Sequence, residues 1–579
     1  MSTESRHAGC CTPHPVHAER AQLDDLAPAD RTATARHHGK GPAAADAKAD
    51  LLLTGSLLTM DEANPRAEAV AVSGGRIVGV GSRSDLEGLV GPSTQLVEAE
   101  GTVMPGLVEP HMHLFTSGIT WGTVDCSPTA NATFDDVVAR LKAAVPSVPA
   151  GSALVGQLFD PSLFPGMPVL TADILDQVST DVPVMVMNAS QHFFYVNSAA
   201  YAAVGVDAST PDPAGGSYGA KDGRLTGVVA EAGAMVPFIK LLPPMTKETL
   251  VAALTGIANE AAKVGTTKLH EAATGALLGA AEVDLLHATA AQPGFPVRIT
   301  AAVWGLRLDD MTKAGITVGS GDDMVRTEFV KWVADGSNQG FTGYMREPYL
   351  NSDSRGAANY TVDELVTNFT ASLEAGWPLM MHGNGDAGID NILEALAQVS
   401  KLPVWDASLR HRIEHCSVLH DEQIAQMAAL GVNPSFLMNH VRLWGRAFRD
   451  EILGAERANK LDRVRSAQAA GLRPSLHCDY SVSPMNPLDY VCTAVTRTMA
   501  DGGEVLNPDE RISVQDALKG ITTDAAWMCR SDDLCGSIEV GKAADFTVLA
   551  ADPTAVEAEA IREIEVRQTW LDGEVRFSA

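Results

Sequence analysis

The chain has 579 residues, 45% hydrophobic, 20% charged and 5% aromatic: a globular composition, long enough for one large domain with additions and incompatible with disorder throughout. Lys and Arg number 43 against 72 Asp and Glu, and the net charge of −29 repels phosphate backbones and anionic membrane surfaces, which argues against nucleic acid as a partner. The eight cysteines follow no disulfide framework, no stretch approaches the ~18 apolar residues of a membrane span, and the N-terminus lacks a basic-then-apolar signal, so a reducing cytoplasm is the expected compartment.

Residues 1–49 contain only Val16, Leu23 and Leu26 among the large aliphatic and Phe types, too few to bury a core, and read as a flexible tail. The tail holds His7, Cys10, Cys11, His14 and His17, ligand types for zinc or copper, but their spacing matches no standard zinc template. From 50 to 104 the pattern changes to short apolar runs punctuated by turns, such as AEAVAVSGGRIVGVG, and residues 535–579 repeat the style around an Asp572-Gly573 turn. Neither end has enough strands for a stable sheet, so the two are expected to combine into one small β-sandwich built from both termini.

Residues 105–534 must then form an inserted domain. They contain eight short apolar runs bounded by turn residues: TVMPGLVEPHMH, TTKLHEA, VRITAAVW, EFVKWVAD, PLMMHGNG, RHRIEHC, GVNPSFL and RPSLHCDY. Most are followed by a helical stretch, and alternating β and α in eight repeats predicts an α/β fold of the (β/α)8 TIM-barrel type. TVDELVTNFTASLEAG should end as a helix at Gly376, and Ser513 with Asp516 should cap a helix running through ISVQDALKGITTDAAWM. About 140 residues separate the first two runs, far beyond a usual βα loop, so a cap subdomain is expected at about 125–262, with a hairpin at Asp222-Gly223.

Barrel enzymes place their chemistry at the C-terminal ends of the strands. Here His111 and His113 end the first run at a spacing of two, which puts both imidazoles on one face of a strand. His382, His415 and Asp479 end the fifth, sixth and eighth runs and add two nitrogen ligands and an oxygen. Taken singly, each has an ordinary explanation, as a satisfied core histidine or a turn cap. Together, at matching strand ends, they read as a centre for one or two divalent ions, zinc by ligand type. Lys331 in the fourth run sits in an apolar context where an ammonium is costly. Phe341, Phe436, Trp444 and Trp121 follow strand ends and are candidates for an apolar pocket wall.

The phrases VMPGLVEPHMH, VKWVADGS, HGNGDAGI, RIEH and GSIEVGKAADFTVL, with the hairpin PAGGSYGAKDGRLTG and QHFFYVNS, resemble the metal-dependent amidohydrolase superfamily from about residue 50 to the end. The likeness is to its amidohydrolase-3 branch, which includes N-substituted formamide deformylases. The resemblance implies that His111, His113, a carboxylated Lys331, His382, His415 and Asp479 hold the metal and that Asp479 is the general acid/base. His192, His270, Glu271, Arg412 and Trp444 are the positions expected to support the ligands or touch substrate. The implied reaction is hydrolysis of a small N-acyl or N-formyl amine by metal-activated water. Opening of a cyclic amide, imide or lactone is the alternative reaction, and a catalytically silent metal-binding or regulatory protein the alternative of another class. A small-molecule substrate is the expected partner, with a homodimer as an open assembly state. The tail and the pair His477-Cys478, where smaller residues are usual, depart from the family pattern.

Overall fold

Eight parallel strands form the central sheet in sequential order: β1 (Leu107–Met112), β2 (Thr266–Thr274), β3 (Arg298–Trp304), β4 (Val325–Val333), β5 (Leu379–Gly383), β6 (Arg412–His415), β7 (Asn433–Leu437) and β8 (Ser475–His477). They coincide with the eight runs read from the sequence. The computed structural model describes residues 48–579 except 190–192, 214–215, 243–245 and 501. The tail with its His/Cys segment (apart from Lys48 and Ala49) and the candidate His192 therefore lie outside the described residues. The strands are buried on both faces, as a parallel sheet wrapped by helices requires, which is why they read as near-continuous apolar runs.

Closure between β8 and β1 is made near the strands' C-terminal ends, where Met112 bridges Tyr480. Deeper in the seam the backbone groups find another partner. The carbonyls of Gly520 and Ile521 accept from Leu476 N at 3.0 Å and Val108 N at 2.9 Å, so this turn fills the gap. That use of Gly520-Ile521 breaks the expected single helix into Val514–Lys519, capped by the Ser513 hydroxyl, and Thr523–Met528. Helix Val362–Glu374 behaves as expected: Thr361 and Glu364 form a capping box, and Gly376, at φ +84°, follows its end.

The chain termini share one seven-stranded sheet, ordered Glu574–Ser578, Val566–Leu571, Phe546–Leu549, Gln95–Pro105, Leu51–Leu58, Arg66–Ser73 and Arg76–Gly81. Gln95–Pro105 joins the two ends, running parallel to Leu51–Leu58 and antiparallel to Phe546–Leu549. Leu53, Val70, Val103, Phe546, Val548 and Trp570 form its core, with contributions from both ends. A buried pair, Arg298 on β3 with Asp545 at 2.7 Å, ties this sheet to the barrel.

The long connection after β1 carries a five-stranded sheet ordered Val228–Ala230, Phe193–Val196, Val184–Asn188, Leu154–Phe159 and Val124–Asp125. A separate two-stranded hairpin in the same connection, Ala220–Lys221/Arg224–Leu225, turns through Asp222 at φ +50° and Gly223 at φ +73°, the left-handed pair of a type I′ turn. The five-stranded sheet ends at Ala230. Helix Lys247–Lys263, which closes the span expected of the cap, buries Leu250, Leu254, Ile257, Ala258 and Ala261 at helical spacing and packs against helix Leu114–Thr120 beside the barrel. No described helix is long and apolar enough to cross a membrane.

Candidate metal centre

Strand alternation alone would not bring these side chains together. Glu414 and His415 are consecutive yet both face the barrel interior, which requires a break in the pleat: His415 and Cys416 adopt φ of +69° and +47° at the end of β6. Asp479, two residues beyond β8, is likewise left-handed at φ +56°. Such conformations are uncommon for non-glycine residues and concentrate where function over-determines the backbone.

The result is a buried convergence on one carboxylate. Asp479 Oδ1 lies 3.3 Å from His111 Nε2 and 3.2 Å from His113 Nε2, and Oδ2 lies 3.9 Å from His415 Nδ1. Lys331 Nζ is 3.3 Å from His111 Nε2. The His382 ring meets His415 edge-on at 4.5 Å, with its Nε2 3.1 Å from Gly336 O and 3.4 Å from Asp335 Oδ1. None of the six candidates His111, His113, Lys331, His382, His415 and Asp479 is more than 5% exposed.

This donor chemistry fits a divalent ion. Donor atoms of His111, His415 and Asp479 all lie within 4.8 Å of one another, a nitrogen, nitrogen and oxygen set of the kind catalytic zinc sites use. Asp479 Oδ1 is buried without a hydrogen bond, an expense that a bound cation would remove.

The family model described as "Amidohydrolase family" matches residues 95–577. The chain belongs to the amidohydrolase family. Membership makes it a metal-dependent hydrolase of carbon–nitrogen bonds other than peptide bonds, acting on small molecules. This amidohydrolase is 28% identical over 564 residues to an N-substituted formamide deformylase of Arthrobacter pascens, covering 91% of this chain and 98% of the relative. It is also 28% identical over 537 residues to the putative amidohydrolase YtcJ of Bacillus subtilis (strain 168), covering 90% and 98%. In fold it resembles an uncharacterized metal-dependent hydrolase from Pyrococcus horikoshii OT3, with TM-score 0.69 and 20% identity over 88% of this chain and 99% of that one.

The other candidates in the amidohydrolase fall around this centre in different ways. Arg412 grips Glu414, with Nε at 2.5 Å and Nη2 at 2.8 Å from its oxygens. Glu271 accepts from the amides of Leu114 and Ala273, so it holds the start of the helix that follows His113. Burial raises the pKa of Glu271, with His113 acting against that. His270 Nδ1 is 3.3 Å from Cys529 Sγ, and burial with the nearby Arg412, Lys268 and Lys331 charges pushes its pKa well down. Trp444 is buried at the end of helix His440–Trp444 and its indole N–H donates to Asp160 Oδ2 at 2.9 Å, a contact between the segment after β7 and the long connection after β1. Phe436 is core, Phe341 packs on Tyr349, and Trp121 is half-exposed beside Gly256.

Several residues around the centre were not singled out from the sequence. Glu414 Oε2 lies 2.5 Å from His111 Nδ1. Glu109 accepts from Tyr490 Oη at 3.0 Å and Cys478 Sγ at 3.2 Å, and burial raises its pKa to about 8. Asp335 accepts from the amides of Asn384 and Gly385, fixing the loop that follows His382. A usable signal existed for Glu414: two charged residues at i and i+2 on one barrel strand share a face, and charges inside a barrel must be paired.

Proposed function

We propose that this amidohydrolase cleaves the carbon–nitrogen bond of a small N-acyl or N-formyl amine, using a zinc-type centre of one or two ions. His111, His113, His382, His415, Asp479 and a carboxylated Lys331 would hold the metal. The observation that carries the reading is the convergence of His111, His113 and His415 on the Asp479 carboxylate. The likeness over nearly its whole length to a protein named N-substituted formamide deformylase supports the substrate class.

A divalent ion held there supplies Lewis acidity to the substrate carbonyl and acidifies water at neutral pH. Asp479 is the group assigned to proton transfer in this reading. Its Oδ1, within 3.3 Å of two imidazoles, takes the proton of the attacking water and delivers it to the departing nitrogen, since an amide anion leaves poorly. Lys331 has no exposed surface, and as an ammonium it would oppose a cation beside His111. Carboxylation of its neutral amine by carbon dioxide, with loss of one proton, turns it into an anionic oxygen ligand that matches the site.

The test is metal content combined with hydrolysis of a panel of N-formyl amines, N-acyl amines, cyclic amides and lactones, with and without chelator. Chelator-sensitive release of formate or another short acid from the open-chain amides is expected. Turnover confined to the cyclic substrates would replace the substrate assignment, and full activity without metal would overturn the mechanism.

A further inference from the structure

Besides the group around Asp479, a second set of donor atoms lies within 4.8 Å: those of His111, Glu414 and His477. By residue type it looks like another cation site, but its surroundings say otherwise. Both Glu414 oxygens are engaged by the Arg412 guanidinium, at 2.5 and 2.8 Å, and Oε2 also meets His111 Nδ1 at 2.5 Å. A cation placed there would face the Arg412 charge in a buried barrel interior. The same guanidinium donates to Pro110 O at 3.0 Å, on the residue preceding His111. His477 stacks on the His111 ring, 4.7 Å between centroids and 17° from parallel.

Resting on the metal-centre reading above, we propose that Arg412 and Glu414 form a clamp from β6 across the barrel to β1, and that Glu414 is the positioning residue of His111. With the Nδ1–H donating to Glu414 Oε2, the Nε2 lone pair is directed at the Asp479 and Lys331 side of the ring, where the other donors converge. Arg412, bonded to both Glu414 oxygens and to Pro110 O, holds the carboxylate in place against the ring. Arg412, Glu414 and His111 have no exposed surface, so each link of the clamp lies inside the barrel.

The test compares wild type, Glu414→Gln, His111→Ala and the double variant Arg412→Met/Glu414→Gln. The double variant removes both buried charges together and keeps the clamp testable if Glu414→Gln alone unfolds. Metal affinity is read by chelator competition, with 10- to 100-fold weakening expected in both Glu414 variants. In metal-free protein labelled with 15N-histidine, the His111 signal, assigned by its loss in His111→Ala, should show a single Nδ1–H tautomer in wild type and an altered tautomer balance in the variants. Wild-type metal affinity with an unchanged tautomer in a folded variant would overturn the clamp. Absence of metal binding by wild type would instead overturn the metal-centre reading, while the metal-free tautomer measurement would still decide the clamp.

Discussion

The amide of His113 donates to the carbonyl of Tyr480 over 2.7 Å, so a hydrogen bond that closes the barrel between its first and last strands also sets His113 beside Asp479. Asp479, the proposed proton carrier, is thus flanked by the seam of the barrel. Asp479→Asn keeps the shape and this backbone bond but removes the basic oxygen. Turnover is expected to fall by about 10² to 10⁴, the usual loss for a general acid/base, with the unfolding midpoint little changed. A steady-state kcat near wild type would reject Asp479 as the proton carrier.

Lys331 distinguishes a structural from a chemical role. Its Nζ sits 3.3 Å from His111 Nε2 with no exposed surface, so an ordinary lysine there would contribute packing of its stem and little else. If it is carboxylated, Lys331→Ala should lose metal and turnover together while circular dichroism stays native. Acetate, formate or propionate should then restore part of both by occupying the vacated space. An intact mass lacking the added carboxyl group in fully active, metal-loaded protein would refute the modification.

The eight strands were legible because each parallel strand is a continuous apolar run between turn residues, and the ligand types stood out as polar residues at the ends of those runs. Glu414 and Arg412 were harder to place. A charged pair inside a short strand looks like any surface alternation until the face it presents is known, and the positive φ at His415, which turns that ring to the same side as Glu414, has no sequence signal. The interruption at Gly520-Ile521 was hidden for a related reason. Local propensity favours one helix through ISVQDALKGITTDAAWM, but the unpaired amides of Leu476 and Val108 recruit the two carbonyls of the turn. Helix Lys247–Lys263 is amphipathic whether it packs on a cap or a barrel, so pattern alone left its partner open.

The N-terminal boundary can be tested directly. Ala49 is buried, its amide donates to Leu89 O at 2.8 Å, and Lys48 Nζ donates to Gly88 O at 2.7 Å. Deleting residues 1–47 spares these contacts and should preserve metal content and turnover. Loss of metal together with activity in that truncation would make His7, Cys10, Cys11, His14 and His17 part of a functional site.

His411, just before β6, gives the fold a defined acid sensitivity. It has no exposed surface, and its Nδ1 accepts the Leu379 amide at 3.1 Å, a bond that only the neutral ring can make. Burial lowers its pKa from 6.5 to about 4. Between those values the unfolded chain binds the proton and the folded chain does not. The contribution of His411 is therefore fully present above about pH 6.5 and is lost as pH falls toward 4, at up to about 1.4 kcal/mol per pH unit. Burial of His270, His440 and His477 lowers their pKa values as well and acts in the same direction. His411→Asn offers a side-chain oxygen to the Leu379 amide without a titrating ring. Urea midpoints measured in chelator across pH 4.5 to 6.5 should fall less steeply with acid in this variant than in wild type, and parallel profiles would remove His411 from the account.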